Sequence, residues 1–330
     1  MRILITTGFS GKDVGGPAQY GPKLSEQFQK LGHEVRIQTY EFEKKLPIFI
    51  SHLYFLLRCL PNVAWADRVI ALDTYTIGVP SVMAARLFRR KIIIRIGGDF
   101  LWESYTNRTS EKITLTDFNL NTPALNFKEK IIRIFTKYLT HKADVLAFNS
   151  DWQRKIWEKT YNINPNKTRV VRNFIPPSEQ GEETEEKSFV WAGREMPLKN
   201  LDMLRRVAEK IKLSRPELRL DLIMNVSRQE VLNKVRKAHV VILPSISDVS
   251  PNFILEGASF GKPFIMTKET SFAEILPRGG IFINPKDENE LEKAMLSMLD
   301  KNEYEKFKHA LFSEYKSRSW QNVAEDFLKL

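Results

Sequence analysis

The chain has 330 residues, 51 Lys plus Arg against 40 Asp plus Glu, and a single cysteine. That length can carry two α/β domains, each with its own core. The lone Cys59 excludes an intramolecular disulfide and a cysteine-cluster metal site, and no apolar run reaches the roughly 18 residues of a spanning helix. The net charge of +11 attracts anions, whether nucleotide phosphates, nucleic acid or an anionic membrane face.

Taken in order, Arg2 to Thr6 reads as a strand from the outset, with no signal peptide expected ahead of it. A glycine-studded loop, Gly8 to Gly16, leads into a helix ending near Leu31, and Glu34 to Gln38 follows as a strand. Lys44 to Arg58 is basic, then apolar and aromatic. It reads first as a helix packed on the first sheet, and alternatively as a helix lying in a membrane interface. Strands are expected at 68–72, 91–96 and 143–149, and strands alternating with helices predict a doubly wound, mostly parallel sheet.

Residues 178–187, SEQGEETEEK, carry five glutamates and no apolar side chain. They read as a solvated linker and a domain boundary. Beyond them the alternation resumes, with strands at 189–192, 218–224, 240–243 and 280–284, and from Pro263. Helices are expected at 200–213, up to Lys237, from Pro251, and twice within 287–315. Ser319-Trp320 opens the last one.

Three stretches carry chemistry. Val240 to Leu243 is a short, β-branched, buried-type strand. A polar loop with Asp248 follows it, then a helix beginning near Pro251 and containing Glu256. A helix start at the carboxyl end of a parallel strand suits a phosphate, and the two carboxylates can reach different sugar hydroxyls. Gly193-Arg194 ends a strand, and Lys199 follows five residues after Arg194. A guanidinium fork and a flexible ammonium together suit a diphosphate. Gly15-Gly16 before a helix lets backbone approach a ligand closely. Other chemistries fit poorly. Gly257-Ala-Ser259-Phe-Gly261 places its serine near a helix end rather than on a strand-to-helix turn. No Asp-x-Asp or His-Glu-x-x-His occurs, and no nucleic-acid-binding module is recognisable.

Two acids separated by seven residues, after a strand ending Pro-Ser and before Gly-x-Pro, together with Gly-Arg-x4-Lys and Gly-Gly-x-x-x-Tyr20, resemble retaining glycosyltransferase family 4. This chain has Asp248 where the family usually has Glu, Asn200 where Gly is commoner, and Gly97-Gly98-Asp99 where many members place a histidine. The resemblance implies a GT-B fold, α/β, with two Rossmann-like doubly wound domains facing across a cleft. The expected division is an acceptor-side domain over 1–177, a linker at 178–187 and a nucleotide-sugar domain over 188–315. Helix 316–330 would pack back on the first domain through Trp320, Val323, Phe327 and Leu328.

The activity so implied is transfer of a hexosyl unit from a nucleotide-diphosphate sugar to a hydroxyl of a glycan or lipid-linked glycan, with retention. A sugar-nucleotide epimerase and a catalytically silent nucleotide-sugar binder are the alternatives. Arg194, Lys199, Gly15, Gly16 and the amides of residues 251 to 253, spanning Pro251, Asn252 and Phe253, would take the diphosphate. Glu256 would hold the ribose, Asp248 the sugar, Ser250 the donor, Asn225 and Val226 the base, and Asp99 the acceptor hydroxyl. Neither metal nor cofactor is expected beyond the donor. The location expected is cytoplasmic, with peripheral contact at an anionic inner membrane face, and nucleic acid is not an expected partner.

Overall fold

The structure, a computed structural model, describes residues 1–9, 16–182 and 186–330. The strands are β1 Arg2–Thr7, β2 Glu34–Thr39, β3 Arg68–Ala71, β4 Lys91–Ile96, β5 Val145–Phe148, β6 Thr168–Val170, β7 Lys187–Ala192, β8 Leu218–Ile223, β9 Val240–Leu243, β10 Phe264–Thr267 and β11 Gly280–Ile283. The helices are α1 Gly16–Lys30, α2 Ile48–Trp65, α3 Gly78–Leu87, α4 Phe100–Thr109, α5 Leu115–Leu120, α6 Phe127–Lys142, α7 Asp151–Tyr161, α8 Leu201–Lys212, α9 Arg228–Lys237, α10 Asn252–Ser259, α11 Glu288–Leu299, α12 Lys301–Glu314 and α13 Trp320–Lys329. The elements read from sequence are present with most ends shifted by a residue or two; the exception is α2, read from Lys44 to Arg58 and found at Ile48–Trp65. β6 was not among them, because three residues of Thr-Arg-Val give no periodicity to read.

The chain forms two compact units, residues 1–104 with 119–174 and 319–330, and residues 105–118 with 175–318. The cuts at 104/105 and 118/119 fall inside α4 and α5. The first unit is built on a six-stranded sheet in the order β2-β1-β3-β4-β5-β6, the second on a five-stranded sheet, β11-β10-β9-β7-β8. Every strand pair is parallel. Strands such as Ile92-Ile93-Ile94 and Val240-Val241-Ile242 are fully buried, as expected where crossovers cover both faces of a sheet.

The last helix returns to the first unit, as expected. Ser319 and Asn322 form a capping box at its start, and α13 packs on α1. Val323 and Phe327 are fully buried among Tyr20, Leu24 and Phe28, while Trp320 and Leu328 pack at the margin. Trp320 also stacks on Phe174 at 5.3 Å, and Arg68 Nη1 donates to the Phe327 carbonyl at 2.9 Å. Burying two such side chains contributes roughly 1.5–3 kcal/mol each.

Residues 178–182 are mostly exposed, yet they are tied to the rest of the second unit. The Glu179 N–H bonds the Ser259 carbonyl at 2.8 Å, the Glu179 carboxylate pairs with Arg236 at 2.8 Å, and Lys262 Nζ donates to the Glu182 carbonyl. Glutamates that read as solvating are held here by neighbouring cations.

Candidate functional site

In an open parallel sheet, ligands gather outside the carboxyl ends of the strands where the winding reverses. In the second unit that point lies between β7 and β9, which adjoin in the sheet while β8 lies on the outer side of β7. The loops leaving β7 and β9 carry Arg194, Lys199 and Asp248, and they are tied together. The Ile246 N–H donates to the Leu198 carbonyl at 2.9 Å, and Lys199 Nζ meets Asp248 Oδ2 at 2.7 Å. Both members of that pair are partly exposed, 26% and 18%, so a ligand can reach them. Arg194 is exposed and makes no hydrogen bond or ion pair with any described residue.

The β7 loop turns sharply at Asn200, whose φ is +55°. Asparagine tolerates this left-handed conformation better than most side chains, which accounts for its standing where glycine is commoner in the family it resembles. Gly193 sits close over the Trp191 ring, where an added Cβ would come within 3.2 Å.

Asp248 is fixed by a backbone bond to the Glu269 carbonyl at 3.0 Å and by a parallel bridge to Thr270. Ser250 and the buried Pro251 then lead into α10. The first bond of that helix runs from the Leu255 N–H to the Pro251 carbonyl at 3.3 Å, so the N–H groups of Asn252, Phe253 and Ile254 lie ahead of it. This corrects the expected donors. Proline has no N–H, so Pro251 offers only its carbonyl and the set moves forward to residues 252–254. Gly257 allows α10 to sit directly on β9, since a Cβ there would come within 2.5 Å of Val241.

Glu256 lies on α10 with 16% of its side chain exposed, and Arg228 Nη2 donates to its Oε1 at 2.8 Å. Burial raises the carboxyl pKa above its ordinary value, and Arg228 opposes the rise. Nothing in the sequence spacing pointed to Arg228. It stands in the first turn of α9, behind a capping box formed by Ser227 and Glu230, and reaches Glu256 only through the packing of α9 on α10. Asn225, with φ +56°, and the exposed Val226 form the loop just ahead of that cap. The second unit therefore carries the two cations, the two acids and the helix start, with Lys199 joined to Asp248 and Arg228 to Glu256.

The remaining expected residues belong to the first unit. Asp99 is 2% exposed. Its Oδ1 accepts the Trp102 N–H at 3.0 Å and its Oδ2 accepts from Asn119 Nδ2 at 3.3 Å, so it caps the start of α4. Burial pushes its pKa up, against the opposing pull of the Trp102 N–H. Gly16 opens α1, whereas Gly15 lies outside the described residues. Among the described residues no three His, Cys, Asp or Glu side chains are grouped to hold a metal ion.

Residues 182–301, about a third of the chain, match the family model described as Glycosyl transferases group 1. Comparison with curated protein sequences finds no match. Among solved structures, the chain is similar to WaaG, a glycosyltransferase involved in lipopolysaccharide biosynthesis (TM-score 0.74, 12% identity, 98% of this chain and 98% of that one). It is similar to the lipopolysaccharide outer core galactosyltransferase WaaB (TM-score 0.66, 15% identity, 100% of both chains). A third likeness is to Alr3699/HepE of Anabaena in complex with UDP (TM-score 0.67, 12% identity, 100% of this chain and 99% of that one). At such identities the likeness establishes the fold, which is GT-B.

Proposed function

From the match of residues 182–301 to the glycosyl transferases group 1 model, we propose that the protein moves a hexosyl unit from a nucleotide-diphosphate sugar to an acceptor hydroxyl with retention. The observation that carries this reading is the meeting of Lys199 and Asp248 at 2.7 Å, on tied loops beside the start of α10. Arg194, Lys199 and the N–H groups of residues 252–254 neutralise the departing diphosphate. Charge growing on the leaving nucleotide is what such donors stabilise. Glu256 holds the ribose, Asp248 the donor sugar, and the loop of Asn225 and Val226 the base. Asp99 enters only through α4, whose start it holds.

In the structure each acid faces a cation, Asp248 with Lys199 and Glu256 with Arg228. Binding exchanges partners: Lys199 passes from a carboxylate to a phosphate, and Asp248 turns to hydroxyls. The donor supplies both the sugar and the leaving group, so the chemistry assigned to this chain is to bind, orient and offset charge. The UDP bound to Alr3699/HepE supports a uridine donor as the first to try. Incubation with nucleotide sugars tests the reading. Release of nucleoside diphosphate with a product of unchanged anomeric configuration supports it, whereas an epimer formed from donor alone supports the epimerase, and neither product overturns both.

The acceptor partner is a lipid-linked glycan at an anionic membrane surface. Helices α2, α3 and α6 pack side by side and leave apolar side chains outside. Phe49, Leu53 and Leu57 form one stripe along α2, each more than half exposed, and Leu87 and Ile134 are exposed on α3 and α6. The other face of α2 buries Phe55, Cys59 and Val63, as expected of a helix packed on the sheet, and the exposed stripe supports the interfacial reading. Between Phe127 and Lys142, α6 carries five lysines and arginines against a single carboxylate, Glu129, which is buried in a capping box. Apolar surface flanked by cations suits an anionic interface. No described helix is long and apolar enough to cross a membrane. Sedimentation with anionic vesicles, and its absence with neutral ones, is the expected result. Leu53→Glu with Leu57→Glu abolishes it if the face is correctly assigned.

A further inference from the structure

The nucleotide site is held from outside its own sheet. Residues 105–118 precede β5 in sequence yet cluster with the second unit, and they bond three loops at the carboxyl edge of its sheet. Lys112 Nζ donates to Asn200 Oδ1 at 2.8 Å, and the Leu115 N–H donates to Ser247 Oγ at 2.8 Å. Lys286 Nζ meets Asp117 Oδ2 at 3.3 Å. Those loops follow β7, β9 and β11, and the first two carry Lys199 and Asp248.

The segment is also braced internally. Leu115 is fully buried and Phe118 nearly so, and the ring of Phe118 packs on Tyr105 at 5.3 Å. Thr114 Oγ1 accepts the Asp117 N–H at 3.0 Å.

Asn200 is where the bonds converge. It is 2% exposed, and its Nδ2 donates to the carbonyls of Pro244 at 3.2 Å and Pro285 at 2.9 Å. An asparagine side chain has two N–H donors and one carbonyl oxygen. The donors tie the three loops to one another, and the oxygen takes a charge-assisted bond from Lys112. Without that bond, the buried amide oxygen loses its partner, and the left-handed turn that projects Lys199 loses one of its braces.

We infer that Lys112 is a positioning residue for the nucleotide site, acting on Lys199 through Asn200, and that Leu115 braces the Asp248 loop in the same way through Ser247. This rests on the donor-site reading above. The test begins with calorimetric titration of UDP, ADP and GDP into the wild type, and the tightest of the three serves as the probe. Lys112→Met weakens it about tenfold, the worth of one hydrogen bond to a charged group, while Lys112→Arg restores most of the affinity.

Because the effect runs through Lys199, Lys112→Met costs little further in a Lys199→Met background. That coupling is read as a double-mutant cycle, and a loss of general stability would not produce it. Ser247→Ala gives a comparable loss by its own route and carries the test if Lys112→Met fails to fold. Equal losses in both backgrounds, or unchanged binding in both Lys112→Met and Ser247→Ala, overturn the inference and leave the donor site standing. A wild type that binds none of the three nucleotides overturns the donor reading and the brace together.

Discussion

In the second unit, the acids beyond the ends of the central strands face cations: Asp248 faces Lys199 and Glu256 faces Arg228. In the first unit, the acids at the corresponding edge face backbone. Asp73 accepts the N–H groups of Tyr75 and Thr76, and Asp99 accepts that of Trp102. Removal from water raises the pKa of both, against the pull of those N–H groups. A side-chain ion pair that is partly exposed can trade one partner for a ligand at small cost. A carboxylate that starts a helix or shapes a turn cannot leave without dismantling it. The same residue type at the same edge of a sheet thus pairs with cations in one unit, where we propose that it serves recognition, and shapes the backbone in the other.

The comparison breaks most readily at the cations. Replacing both Arg194 and Lys199 by alanine removes two charge-assisted contacts worth roughly 1.5–3 kcal/mol each. Nucleoside diphosphate binding, followed by calorimetry, falls on the order of a hundredfold or more, with little change in melting temperature. An equal loss of stability would mean that these side chains are architectural after all.

Glu256→Gln comes next. Loss of the carboxylate weakens ribose-bearing ligands about tenfold, while inorganic pyrophosphate, which has no ribose, binds as before. Parallel losses for both ligands would remove Glu256 from the ribose.

A pH series sharpens the same point. In the proposed role Glu256 would accept from a ribose hydroxyl best as the carboxylate, and its pKa is raised by burial. Affinity is therefore expected to fall as pH drops through that raised value, earlier than an ordinary carboxylate would require. Arg228 lowers the pKa, so Arg228→Ala moves the fall to higher pH. A shift toward lower pH would contradict the assignment.

The smallest effect separates the architectural acid. Asp99→Ala costs about 1 kcal/mol, the usual worth of a cap, and leaves nucleotide binding unchanged. Asp99→Asn keeps the acceptor for Trp102 and costs less. Linkage adds a sign. The folded pKa of Asp99 lies above its unfolded one, so the unfolded chain ionises first. Wild-type stability then declines as pH rises from the ordinary carboxylate range to the folded value. Asp99→Asn lacks that decline, which melting curves against pH will show.

Much of this was legible in the sequence because the signals are local. An apolar strand, a proline-serine stop, a polar loop and a helix start follow one another within a few residues from Val240 to Glu256, as do the strand end and cations from Phe189 to Lys199. The donor N–H groups were legible too, but the reading counted Pro251 among them. What stayed hidden depends on packing. Arg228 meets Glu256 across two helices, and residues 105–118 reach the second unit's loops from over eighty positions upstream. No spacing rule encodes either. The glutamates of 178–182 show the converse, since a composition that signals solvent cannot reveal that Arg236 and Lys262 lie beside it.

A crystal structure with the tightest-binding nucleoside diphosphate tests the central claim most directly. It is expected to show the diphosphate about 3 Å from the Lys199 ammonium, the Arg194 guanidinium and the N–H groups of residues 252–254, with Asp248 released from Lys199. A nucleotide bound elsewhere, with the Lys199–Asp248 pair intact, would contradict the account.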